Sequence, residues 1–238
     1  QSDLFEIIRA QGAHPISFPT LELLPPSQDE QQALKGLFRA AHKKSFDITL
    51  FTSSNTLLFL EAINDKGMLS PELWPSEIYA LGQKSAQGLR QRGFRVKTPP
   101  LATAEALFQT LLEDAKTLEG KHICLPQASA ARPWLRAKLK EYGARASAPT
   151  LYITSPCRNK AIAPDSDWVT FASPSALQGY VLRCDKAQDR KVAVIGPTTA
   201  KEARKLGFEI HAMPKEPSLK SMIEAMAEFE KLKIDGKL

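Results

Sequence analysis

The sequence predicts an α/β fold: two similar domains, each carrying a parallel sheet. Two observations predict it. Short apolar strand patterns alternate with helical patterns along almost the whole of the 238 residues. The chain also repeats one unit. LGQKSAQGLRQRGFRV at 81–96 and IGPTTAKEARKLGFEI at 195–210 align without gaps, so that Gly82, Ala86, Arg90, Gly93 and Phe94 meet Gly196, Ala200, Arg204, Gly207 and Phe208. Alternating strands and helices make parallel neighbours joined by right-handed crossovers. Two copies are too few, and too far apart, for a solenoid.

Each element has its own signal. SDLFEIIRAQG reads as a helix ended by Gly12, with Leu4, Ile7 and Ile8 on one face. An α/β chain ordinarily opens on a strand, so a strand ahead of Gln1 is expected and absent from this sequence. HPISFP reads as a short strand, and TLELLPPS as an extended linker stopped by Pro25 and Pro26. Residues 28–43 are predicted helical, with Leu34, Leu37, Phe38 and Ala41 on one side. DITLFTSS is a buried strand leading into the helix NTLLFLEAIND. EIYALG, QKSAQGLRQRG and FRVKTP read as strand, helix, strand. TAEALFQTLLEDAKTL is a helix with Thr103 as N-cap, followed by strand KHICLP and helix ARPWLRAKLKEYG. APTLYITSP is extended. Strand DWVTFAS, helix PSALQGYVLRC, strand KVAVIG, helix PTTAKEARKLG, strand FEIHAM and a helix over 218–232 complete the chain. LFTSSNTLLFL (50–60) also resembles TFASPSALQGYVL (170–182), so the duplication extends beyond the first pair.

The two proline-flanked extended segments bracket the first copy. The expected organisation is a discontinuous domain of residues 1–20 plus 154–238, an inserted domain of residues 27–147, and hinge strands at 21–26 and 148–153.

Composition narrows the function. The formal charge of +6 suits an anionic ligand, while Lys and Arg are dispersed with no basic block, which argues against a nucleic-acid face. No apolar run is long enough for a membrane span. Cys124, Cys157 and Cys184 are odd in number and widely spaced, and the four His are scattered. Neither a disulfide framework nor a zinc site is expected, and a reducing cytoplasm is. No Walker loop, GxGxxG or nucleophile motif is present, so any catalysis depends on positioning.

Small hydroxyl residues gather where strands give way to helices: Thr52, Ser53 and Ser54; Ser85 after Gly82; Ser173 and Ser175; Thr198 and Thr199 after Gly196. Pro174 and Pro197 suit first helical turns, and Thr199 with Glu202 has capping-box spacing. Each residue is an ordinary candidate for helix capping. Taken together, they place several helix N-termini, with unpaired N–H groups, at strand ends where carboxylates or phosphates bind.

FTSSN, YALGQKSAQGLRQRGFRV, LYIT, FASPSAL, VAVIGPTTAKEARKLGF and PSLKSMIEAM together resemble the uroporphyrinogen-III synthase family, in the family's order and over nearly the whole chain. Ser54 stands where the family often has Pro, and the family's opening strand, usually ending in Thr-Arg, is missing. The resemblance implies two α/β domains joined by a two-stranded β hinge, with the active cleft between them. It implies a cytoplasmic, monomeric, cofactor-free and metal-free lyase that cyclises hydroxymethylbilane to uroporphyrinogen III. The upstream enzyme that makes hydroxymethylbilane is an implied partner. Matched residue by residue, it implies Tyr152 as the cleft tyrosine and proton donor. Ser53, Ser54, Ser85, Ser173, Ser175, Thr198 and Thr199 are implied to bind the substrate's carboxylate arms. The alternative is a non-catalytic bilobal protein that binds or senses a small anion.

Overall fold

The computed structural model describes the backbone at residues 2–41, 46–63, 71–72, 74, 77–184 and 190–236. The elements run α1 (Ser2–Ala10), β1 (Leu21–Leu24), α2 (Gln28–Ala41), β2 (Ile48–Phe51), α3 (Ser54–Ile63), β3 (Glu77–Ala80), α4 (Gln83–Arg90), β4 (Val96–Lys97) and α5 (Ala104–Asp114). They continue as β5 (His122–Cys124), β6 (Gln127–Ala128), α6 (Trp134–Glu141), β7 (Arg145–Ser147), β8 (Thr150–Pro156), β9 (Trp168–Phe171), α7 (Pro174–Arg183), β10 (Lys191–Val194), α8 (Pro197–Lys205) and α9 (Leu219–Ile234). Residues 42–43, at the end of the helix read over 28–43, lie outside the described residues, as do Asn64 and Asp65.

The chain divides into two compact units, Gln1–Glu22 with Ser155–Leu238, and Leu23–Thr154. It passes between them within β1 and within β8. These strands neighbour each other in a sheet of order β1-β8-β6. The sheet that β1 and β8 share therefore has a third strand, β6, which two residues without a pattern did not announce.

The Leu23–Thr154 unit holds a five-stranded sheet of order β4-β3-β2-β5-β7, with every pairing parallel. Period-two alternation splits its side chains between two cores. Ile78 and Ala80 of β3 join Phe38, Phe51, Leu60, Trp74 and Leu89 on one face. Tyr79 joins Ile48, Leu50, Leu107, Leu111 and Ile123 on the other. The second unit carries the parallel pair β9–β10. Here Val192 and Val194 pack with Phe171, Leu177 and Tyr180, while Ala193 faces Met222 and Ile223 of α9.

The duplicated motif builds the same helix ending in both units. Gly93 N–H donates to Arg90 O (2.9 Å) and Phe94 N–H to Leu89 O (3.2 Å); Gly207 donates to Arg204 (3.0 Å) and Phe208 to Ala203 (2.9 Å). This is the Schellman pattern, and it needs a left-handed residue. Gly93 and Gly207 supply it at φ 85° and 79°. The phenylalanine that follows is buried each time, sealing the helix against its sheet.

Two expected strands are absent. HPISFP is irregular: Pro15 and Pro19 donate no N–H, and Arg183 binds the Pro19 carbonyl while its guanidinium lies 4.7 Å from the Phe18 ring. FEIHAM makes only an isolated bridge, Ala212 to Ala193. There the His211 side chain replaces a ladder carbonyl, its Nδ1 accepting from Val192 N–H at 3.2 Å.

Two carboxylates tie helices to sheets. Asp114 at the end of α5 accepts from Tyr79 (2.9 Å) and pairs with Lys97 (3.0 Å). Glu230 of α9 accepts from Trp168 Nε1 (2.6 Å) and binds Lys191. The Lys97 hydrogen bond, then that of Tyr79, holds the Asp114 carboxyl below its ordinary 3.8; Lys191, then Trp168, holds Glu230 below 4.5. Burial foremost, then Asp114, pushes the Tyr79 phenol well up, so it stays a neutral donor. A lowered carboxyl pKa stabilises the fold above the unfolded value, and that contribution is lost as pH falls through the folded value. Stability is therefore expected to decline below about pH 4, where the free carboxyls titrate. Urea unfolding followed from pH 7 to pH 3 checks this. Asp114→Asn and Glu230→Gln should each flatten the acid limb, modestly, because both ion pairs are partly exposed.

Candidate active site

In each unit two parallel neighbours end side by side and each opens into a helix. Leu81 N–H donates to Phe51 O (2.8 Å), which sets the ends of β2 and β3 in step. Ile195 N–H donates to Phe171 O (3.1 Å) and does the same for β9 and β10. The hydroxyl residues of the sequence fall on the turns that follow, Ser53, Ser54 and Ser85 in one unit, Ser173, Ser175, Thr198 and Thr199 in the other.

Two groups of these residues meet. Tyr152 of β8 donates its phenolic hydroxyl to Ser53 Oγ at 3.1 Å. Its ring is 5% exposed and stacks on Phe59 of α3, with centroids 5.0 Å apart and planes at 19°. Ser53 Oγ also accepts from the backbone N–H of Asn55 at 3.2 Å. In the other unit Ser173 caps α7, accepting from Ala176 N–H at 3.1 Å, and its Oγ lies 3.0 Å from that of Ser175.

The remaining residues sit apart from these pairs. Ser54 opens α3 and is partly buried. Ser85 and Thr199 occupy the same place in the two copies, three residues past the N-cap glycines Gly82 and Gly196, and both are buried. Thr198 beside Thr199 is exposed. The capping-box reading of Thr199 is corrected: Gly196 is the N-cap of α8, with no side-chain cap, which makes Thr199 the third helical residue. Glu202 instead accepts from Gln178 of α7 at 2.7 Å and so links the two helices that start at the strand ends.

Pattern reading did not single out Phe59 or the Asn55 amide. Phe59 lies in an apolar helical run where any residue reads as core. Backbone donors carry no sequence signal beyond the helix start itself. Among the described residues, no cluster of three or more His, Cys, Asp or Glu side chains is placed to hold a metal, and no helix is long and apolar enough to cross a membrane.

A parallel α/β architecture, written twice with hydroxyls at its strand-to-helix turns, defines the class as a two-unit α/β protein. Comparison with known proteins supplies the family. The model of uroporphyrinogen-III synthase HemD matches residues 2–224, and the chain belongs to that family. The porphyrin biosynthesis protein HemD of Ruminiclostridium josui is 22% identical over 95% of this chain, which spans 46% of that relative's length. Among solved structures, uroporphyrinogen-III synthetase from Helicobacter pylori shares the fold with a TM-score of 0.63 at 18% identity, over 88% of this chain and 90% of that one. A mutant uroporphyrinogen III synthase from Thermus thermophilus matches with 0.56 at 17% identity, over 96% and 94%.

Proposed function

We propose that this protein is a uroporphyrinogen-III synthase. It cyclises hydroxymethylbilane, a linear tetrapyrrole with acetate and propionate arms, to uroporphyrinogen III. Water is lost and the terminal pyrrole is inverted, with no cofactor. The observation that carries the reading is the family match across residues 2–224. The Tyr152–Ser53 hydroxyl pair agrees with it, since it offers acid chemistry at a strand-to-helix turn.

Loss of the substrate hydroxyl leaves a reactive azafulvene-like cation. Unguided, the chain closes to isomer I. Isomer III requires attack at the substituted carbon through a spiro intermediate, so the protein's task is to hold a bent substrate, which is catalysis by orientation. Helix N-termini with hydroxyls suit carboxylate arms, at about 0.3–1 kcal/mol each when exposed and about 2 when partly buried. Ser175 and Thr198 are exposed, and Ser53, Ser54 and Ser173 are partly buried, so these five are proposed to meet the arms directly. Ser85 and Thr199 are buried in their first turns and are proposed to contribute from beneath them. The chain is proposed to act as a cytoplasmic monomer, receiving its unstable substrate from the enzyme that makes it.

The test supplies freshly prepared hydroxymethylbilane and separates the product isomers. Predominant isomer III is expected. Only the isomer I mixture seen without protein would overturn the synthase reading in favour of a non-catalytic anion binder.

A further inference from the structure

The hydrogen bonds at Tyr152 have a direction that bears on which group reaches the substrate. The phenol is buried, its ring is fixed by the Phe59 stack, and its only hydroxyl proton is directed at Ser53 Oγ. Ser53 Oγ accepts twice, from Tyr152 and from Asn55 N–H, and this engages both acceptor sites of a serine hydroxyl. Among the described residues no acceptor takes its own O–H, which is left to donate from a residue that is only partly buried.

We propose that Ser53, rather than Tyr152, hands the proton to the departing hydroxyl, with Tyr152 as the positioning residue that resupplies it. This rests on the synthase reading above. In one concerted step the Ser53 O–H proton moves to the leaving oxygen, the carbon–oxygen bond breaks with its electron pair on oxygen, and water departs. The Tyr152 proton moves to Ser53 Oγ. The proton that the terminal pyrrole releases at final ring closure returns to the phenolate, so the pair ends as it began. An alcohol alone is a poor acid at neutral pH. Coupled in this way, the acid consumed is a phenol rather than an alcohol, and the backbone N–H keeps Ser53 oriented throughout.

The test combines variants with isotope effects on isomer III formation. Ser53→Ala should lower kcat about 100-fold, at the low end of general-acid effects, with little change in KM. Ser53→Thr, which keeps the hydroxyl, should recover to within about tenfold. Adding Tyr152→Phe to Ser53→Ala should cost less than about threefold more, because the relay is already broken. The wild-type rate should curve with deuterium fraction, as two moving protons require. Ser53→Ala at the wild-type kcat, beside a slow Tyr152→Phe, would show the phenol reaching the substrate itself and would overturn the relay while leaving the synthase reading intact. A linear deuterium dependence in the wild type would overturn the relay without any variant, should Ser53→Ala fail to fold. Wild-type protein that makes no isomer III overturns both.

Discussion

Tyr152→Phe is expected to lower the rate of isomer III formation about 10–1,000-fold, within or just below the usual general-acid range. The change removes one oxygen and leaves the ring. The stack on Phe59 and the burial of the aromatic surface do not depend on that oxygen. What is lost is the hydrogen bond to Ser53 at 3.1 Å, of order 0.5–1.5 kcal/mol in stability. For a chain of this size that is a melting shift of a few degrees at most, at about 2–4 °C per kcal/mol. A rate assay paired with a thermal melt separates the two effects. An unchanged rate removes Tyr152 from the chemistry. A collapsed melt makes it a packing residue first.

The largest structural effect is expected at Gly179. A Cβ there would stand 2.3 Å from the Thr20 carbonyl oxygen and 3.3 Å from Leu21 Cδ2. A backbone oxygen at that distance cannot rotate away as a side chain can. Either α7 or the segment at Thr20 must move, and forced repacking of this kind costs about 1–3 kcal/mol. The Thr20 carbonyl also accepts from Cys157 N–H at 3.0 Å. Gly179→Ala should therefore lower Tm by several degrees and speed hydrogen exchange at Cys157 in particular. Gly36, in α2, is the control. A Cβ at that position would meet nothing within 4 Å, and Ala there should gain about 0.5–1 kcal/mol. Equal melting of both variants would contradict the close approach of α7 to Thr20.

The readable parts of the sequence share one property: their signals are local. Gly93 and Gly207 declare a helix ending because only glycine takes the left-handed turn cheaply, and both form it. Thr103 declares an N-cap and accepts from Ala106 N–H at 3.1 Å. Ser173 does the same for α7. Strand-rich HPISFP and FEIHAM misled for the opposite reason. Strand formation depends on what lies alongside, and in both places a side chain, Arg183 or His211, takes up a backbone group that a ladder would have used. Thr199 beside Glu202 has the spacing of a cap, yet the N-cap is Gly196, three residues earlier, and Glu202 turns to Gln178.

Residue order alone thus settled the α/β class, the duplication, its glycine-marked helix endings and the hydroxyl-bearing turns, because helical and strand periodicity and glycine stereochemistry act over a few neighbouring positions. Tertiary structure decided what those hydroxyls do. Tyr152 and Ser53 are 99 positions apart in the chain and 3.1 Å apart in the fold. No local rule joins them, since their meeting depends on β8 and the β2–α3 turn packing on the same core.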